Sequence, residues 1–188
     1  MIKYKQVNFK GDNFMKKTNL STVLCGLIIV TVAVLLDQLS KIGMIAWLSD
    51  LPNKTFVVIP GFFEFHLTFN NGAAFSIFSG NFPLLMGFTV IATIIFFIMA
   101  LKADFEDAPW YSWGIYLMIG GMIGNFIDRV WAPNHEVTDF VSLIFGDYYF
   151  GIFNLADSFL VIGVILVCID LLFFEGRRKK KIEGECDE

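Results

Sequence analysis

Apolar residues lie along this chain in long unbroken runs, not in the alternation of a half-buried strand or the stripe of a surface helix. A hydrocarbon core about 30 Å thick takes about 20 helical residues at about 1.5 Å each. Four stretches meet that need. The first runs from Leu20 to Leu36, with a continuation to Trp47 left open by the polar Asp37, Gln38 and Lys41. The second, Phe82 to Leu101, holds no charge, and Asn81 with Pro83 forms a helix-start signal. The third spans Ala108 to Ile127 and opens on Pro109; the fourth runs from about Asn154 to Phe174, with Asp157 near its start and Asp170 near its end.

Between the first two spans the pattern changes. Phe56-Val57-Val58-Ile59 and Phe63-Glu64-Phe65-His66-Leu67-Thr68-Phe69 flank Pro60-Gly61, and the second segment alternates. A short hairpin or small sheet is expected there, closed by the turn signal Asn70-Asn71-Gly72. The predicted fold class is therefore a membrane protein, all-α with a small β element, in which four transmembrane helices carry a cradle-like β loop region.

Composition agrees. Hydrophobic residues make up 56% of the 188 and charged residues 17%, too few to coat a soluble globule. Ten of the 14 Lys and Arg lie before Thr18 or after Gly176, so the net charge of -4 describes tails and loops. A soluble enzyme, a disordered chain and a basic nucleic-acid binder are excluded together. Lys3, Lys5, Lys10, Lys16 and Lys17 at one end, and Arg177, Arg178, Lys179, Lys180 and Lys181 at the other, place both termini in the cytoplasm. The boundaries that follow are a cytoplasmic extension over 1–19, one four-helix domain over 20–174 with outer loops at 48–81 and 130–153, and a charged cytoplasmic tail over 175–188. Residues 1–14 read as an upstream extension, because Met15-Lys16-Lys17 resembles a chain start. No small-x-small cleavage site follows the first span, which favours an uncleaved anchor over a removed signal peptide. Leu24 and Thr22 do not suit a lipidation site at Cys25. Cys25 and Cys168 are expected as packed thiols, with Cys186 exposed in the tail.

Ionisable groups in a membrane are costly and need a partner or a task. Asp37 and Lys41 stand at i, i+4, the spacing of a helical ion pair. Gly120 and Gly124 admit a neighbouring helix, and Asn125 and Arg129 lie near Asp128, which suggests a supporting polar network. Asp139 and Asp157 have no basic neighbour in sequence. Asn154 and Asp157 fit a capping pair, which is compatible with catalysis. Two close carboxylates share one proton, so one can act as base and the other as acid on a water. His66 and His135 are isolated from any metal-ligand spacing, and Ser142 and Ser158 have no base beside them. No metal or other cofactor is expected.

In order along the chain, Asp37-Gln38-Leu39-Ser40-Lys41, Asn70-Asn71-Gly72-Ala73-Ala74-Phe75-Ser76, Gly120-Gly121-Met122-Ile123-Gly124-Asn125-Phe126-Ile127-Asp128-Arg129, Val137-Thr138-Asp139-Phe140 and Phe153-Asn154-Leu155-Ala156-Asp157 resemble the motif set of the lipoprotein signal peptidase (signal peptidase II) family. The resemblance implies an intramembrane aspartic endopeptidase of the bacterial cytoplasmic (inner) membrane. Its substrates would be diacylglyceryl-modified prolipoproteins, cut just before the lipidated cysteine. Asp139 and Asp157 correspond to the catalytic pair. Asn70, Gly72, Asn125, Asp128, Arg129, Asn154 and Ala156 correspond to residues around the active site and substrate lipid, and Asp37 and Lys41 to the first-helix motif. Membrane lipid and globomycin-type cyclic peptide inhibitors are the further partners implied, and nucleic acid is not. Two departures stand out: Ser40 where threonine is common, and a longer stretch around Pro133-Asn134-His135-Glu136.

Water held between Asp139 and Asp157 would attack the carbonyl before the lipidated cysteine, while the loop 56–78 lies on the membrane and clamps the substrate by strand-like pairing. Residues 142–150, including Asp147 and Tyr148-Tyr149-Phe150, read as an interfacial flap. Two other classes compete. A non-catalytic binder of lipid or helices explains the hydrophobicity but gives the two acids no task. An unrelated intramembrane protease of the presenilin or prepilin peptidase type would carry a GxGD block, which this sequence lacks.

Overall fold

The computed structural model describes residues 19–72, 80–146 and 148–178. It is mostly helical, with a small antiparallel sheet. Four long helices are present among these residues: α1 (Leu20–Leu48), α2 (Phe82–Ala100), α3 (Pro109–Trp131) and α4 (Leu155–Phe173). The first passes through Asp37, Gln38 and Lys41 without a break, because their side chains find partners inside the bundle. Asn19, Asn81 and Asn154 cap α1, α2 and α4 by accepting backbone N–H groups that the helices leave unpaired.

Three helices, α1, α2 and α4, are long and apolar enough to cross a membrane. Their outward faces are unpartnered: Leu24, Ile28, Ile91, Ile98, Val164 and Leu172 are all exposed. Cys25 and Cys168 share this outer surface, so the expectation of packed thiols does not hold; Cys186 lies outside the described residues. Helix α3 differs. Most of its length is buried, and it gives up apolar side chains for Gly120, Gly121, Gly124, Asn125, Asp128 and Arg129, which face its neighbours.

Those glycines set the packing. A Cβ on Gly120 would stand 2.7 Å from the Cβ of Ala33 on α1, and one on Gly124 would stand 2.5 Å from an oxygen of Asp37. A Cβ on Gly121 would collide with the carbonyl oxygen of Ala156 on α4, and one on Gly114 with that of Gly163. The small-xxx-small pair thus fits α3 against α1, while a second set of glycines fits it against α4. Ile115, Ile119, Met118 and Tyr116 fill the core between them.

The expected hairpin is present as β1 (Thr55–Ile59) and β2 (Phe63–Asn70). The sheet extends further, since the segment read as a loop and flap folds into β3 (Val137–Phe145) and β4 (Tyr148–Phe153), giving the order β1-β2-β3-β4. Asp147 of that segment lies outside the described residues. Thr68 pairs with Asp139 and Asn70 with Val137, so the end of the first hairpin meets the start of the second. Leu67 and Phe140 bury against Leu48 and attach the sheet to the end of α1.

Candidate active site

At the sheet-side end of the helices, Asp37 is fully buried, and its Oδ2 lies 2.8 Å from the Lys41 ammonium, the i, i+4 contact. The same ammonium lies 2.9 Å from Oδ2 of Asp128 and donates to Oδ1 of Asn125 at 3.1 Å. The Asp37 Oδ1 accepts the backbone N–H of Ala156 at 3.0 Å, tying α1 to the first turn of α4. Asp128 therefore joins the α1 ion pair. It does not pair with Arg129, because successive residues on a helix point about 100° apart. Gln38, not singled out from the sequence, spans this group: its amide reaches Asp37 at 3.1 Å, Asp128 at 2.9 Å and the Gly124 carbonyl at 3.1 Å. A carboxamide inside an apolar span was the available signal.

Asp139 and Asp157 are held differently. The side-chain N–H of Asn154 donates to Oδ1 of Asp139 at 2.6 Å, and its backbone N–H to Oδ2 of Asp157 at 3.2 Å. One residue thus bridges both acids. The bond from the Asp157 backbone N–H to Asn154 Oδ1 completes a reciprocal capping box at the start of α4. The remaining oxygens take amides too: Asn70 donates to Oδ2 of Asp139 at 3.1 Å, and Asn125 to Oδ1 of Asp157 at 2.8 Å. Asn154 also donates to Asn125, which links the two groups.

Gly72 donates to Oδ1 of Asn70 at 2.9 Å, while its own carbonyl accepts from Arg129 Nη2 at 2.9 Å. Arg129 is buried, and its Nε has no partner among the described residues. The long stretch after α3 is a tight turn with left-handed backbone at Asn134 and His135. His135 Nδ1 bonds the Arg129 carbonyl at 2.8 Å, and the ring stacks on Phe82. Every site residue singled out from the sequence falls into this one connected network. The motif segment Ala73-Ala74-Phe75-Ser76 lies outside the described residues.

A cavity of about 820 Å³ opens beside it, with Asn70, Asn125, Arg129, Asp139 and Asp157 on one wall and β4 and apolar residues of α4 on another. Asp139 is 2% exposed, and burial together with the neighbouring Asp157 pushes its carboxyl up to about 7 against the opposing pull of Asn70, Asn154 and Lys41. Both its protonated and its charged form are therefore accessible near neutrality.

The profile of signal peptidase (SPase) II matches residues 29–173. The chain belongs to the signal peptidase II family. Among similar proteins, the lipoprotein signal peptidase of Bacillus pumilus is 38% identical over 159 residues, covering 82% of this chain and 96% of its own. That of Listeria welshimeri is 40% identical over 157 residues, covering 82% and 97%. Two solved structures of a bacterial membrane enzyme, determined by the in meso method, superpose with TM-scores of 0.69 and 0.67 at 37% identity; they cover 80% of this chain and 88% and 94% of their own. As a signal peptidase II family member with three apolar spanning-length helices, the chain is a multi-pass membrane peptidase.

Proposed function

We propose that this peptidase cleaves the signal peptide of diacylglyceryl-modified prolipoproteins just before the lipidated cysteine, with Asp139 and Asp157 as its catalytic pair. The observation that carries this reading is the bridging of both carboxylates by Asn154 at the wall of the cavity, each oxygen meeting an uncharged amide. Asp139 carries the shared proton. Asp157, in the first turn of α4, acts as the carboxylate that takes a proton from water as it attacks the scissile carbonyl; Asp139 protonates the leaving nitrogen.

Lys41, Asp37 and Asp128 brace the helices, and Arg129, Gly72 and Asn70 hold the cavity wall. The apolar side of the cavity, formed by residues such as Leu160 and Val161, would take acyl chains. In this reading α3 is the fourth span, its polar end shielded by α1 and α4. The domain comprises residues 20–174, with 1–19 and 175–188 in the cytoplasm and the sheet at the outer face of the bacterial inner membrane. Membrane lipid and globomycin-type peptides are the other ligands proposed.

A gel-shift assay with purified protein and a diacylglyceryl-modified prolipoprotein tests it. Cleavage that globomycin blocks, and that Asp139→Asn and Asp157→Asn each lose, is expected. Parent-rate processing by both variants contradicts the assignment.

A further inference from the structure

The expectation that the 56–78 loop clamps substrate by strand pairing depends on which strand edges are open. Over Phe63–His66 both edges of β2 are used, one by β1 and the other by β3; past His66 β1 supplies no partner, and Thr68–Asn70 pair with β3 alone among the described residues. The outer strands of the sheet are β1 and β4. No residue of β1 lines the cavity, whereas β4 lines it with five in succession, Tyr149 to Phe153. A strand that shows a cavity only one face contributes alternate residues; past the bulge at Phe150 the consecutive run Gly151–Phe153 brings the strand edge to the cavity, as Thr68–Asn70 does for β2.

Gly151 supplies a second, independent observation. Its φ of +123° is a conformation that side-chain-bearing residues rarely adopt, and a Cβ built there meets nothing within 4 Å. The position is open space, not a packing contact. Glycine inside a strand marks either a bulge or the close approach of another backbone. The register shift between Leu143 and Ile144 accounts for the bulge at Phe150, and the open space at Gly151 leaves room beside it. Beyond the bulge, Gly151-Ile152-Phe153 runs directly into Asn154, the residue that bridges the two carboxylates.

We infer that Gly151–Phe153 is a docking strand: the extended backbone of the signal peptide adds to this edge and so presents its scissile carbonyl to Asp139 and Asp157. Backbone pairing would supply affinity that depends little on side chains. The inference rests on the catalytic reading above, and its test separates the two.

Synthetic diacylglyceryl peptides, each N-methylated at one backbone amide other than the scissile one, are assayed with the unaltered enzyme. N–H groups of a strand alternate in direction, so methylation at every second residue beside the scissile bond is expected to lower kcat/KM about tenfold, and at the intervening residues less than about threefold. Gly151→Val, which fills the space beside the edge, is expected to raise KM for the unmethylated peptide more than it lowers kcat. Losses that are uniform along the peptide, or absent, overturn the docking strand. If the unmethylated peptide is cut equally well by Asp139→Asn, the catalytic reading fails instead, whatever the methylation pattern.

Discussion

Asp37 and Asp128 share the Lys41 ammonium, whereas Asp139 and Asp157 are held by the amides of Asn70, Asn125 and Asn154. The two pairs occupy one network, and Asn125 touches both, accepting from Lys41 and donating to Asp157. Their chemistry nonetheless diverges. Breaking a buried carboxylate–ammonium pair leaves an uncompensated charge, so such a pair serves as a fixed tie. Amides orient a carboxyl while adding no net charge, so burial and the second acid decide where the proton resides. The first arrangement fastens helices together; in the proposed mechanism the second keeps a proton available.

Removing one acid from the amide-held pair tests this contrast with the largest effect. Asp139→Asn or Asp157→Asn is expected to lower turnover about a thousandfold while the protein still inserts and folds. Retained turnover in both would erase the distinction. Next comes Lys41→Met, which strands two buried carboxylates. A cost of about 3–5 kcal/mol is expected, visible as poor expression and a large fall in Tm. A variant of near-parent Tm would show that Lys41 does not hold the bundle.

Asp37→Asn is milder. It keeps an acceptor for the Ala156 N–H but turns an amide toward Lys41, costing about 1–3 kcal/mol, with turnover per folded molecule within a few-fold of the parent. Loss of turnover at normal expression and Tm would move Asp37 into the chemistry.

The smallest expected effect lies in the pH dependence of stability. Asp139 is raised from 3.8 to about 7 in the folded state, so in that window the folded protein binds more protons than the unfolded chain. Its contribution to stability declines as pH rises from 3.8 to about 7, and levels off above. Asp139→Asn is expected to flatten that part of a plot of Tm against pH. An unchanged slope would show that Asp139 does not titrate there.

How much of this was visible in the sequence depended on distance along the chain. The apolar runs gave the four helices because length and composition are local properties, and the alternation from Phe63 to Phe69 gave the first hairpin for the same reason. The Asp37–Lys41 contact was legible from helical spacing alone. Strands β3 and β4 were not, since β3 gains its ladder from β2, with Thr68 and Asp139 meeting across 71 positions. Asp128 was linked to its neighbour Arg129, yet its ammonium comes from α1, where no local pattern points. The bridging by Asn154 was half visible: the cap spacing marked Asp157, but the side-chain bond to Asp139 required the sheet.

The most direct measurement is a crystal structure of the chain with a globomycin-type peptide bearing a hydroxyl that imitates a tetrahedral intermediate. The hydroxyl is expected between the carboxyl groups of Asp139 and Asp157, within about 3 Å of an oxygen on each, with Asp37 and Asp128 still on Lys41. A hydroxyl bound away from both Asp139 and Asp157, or seated on the Lys41 group, would contradict the division of labour between the two pairs.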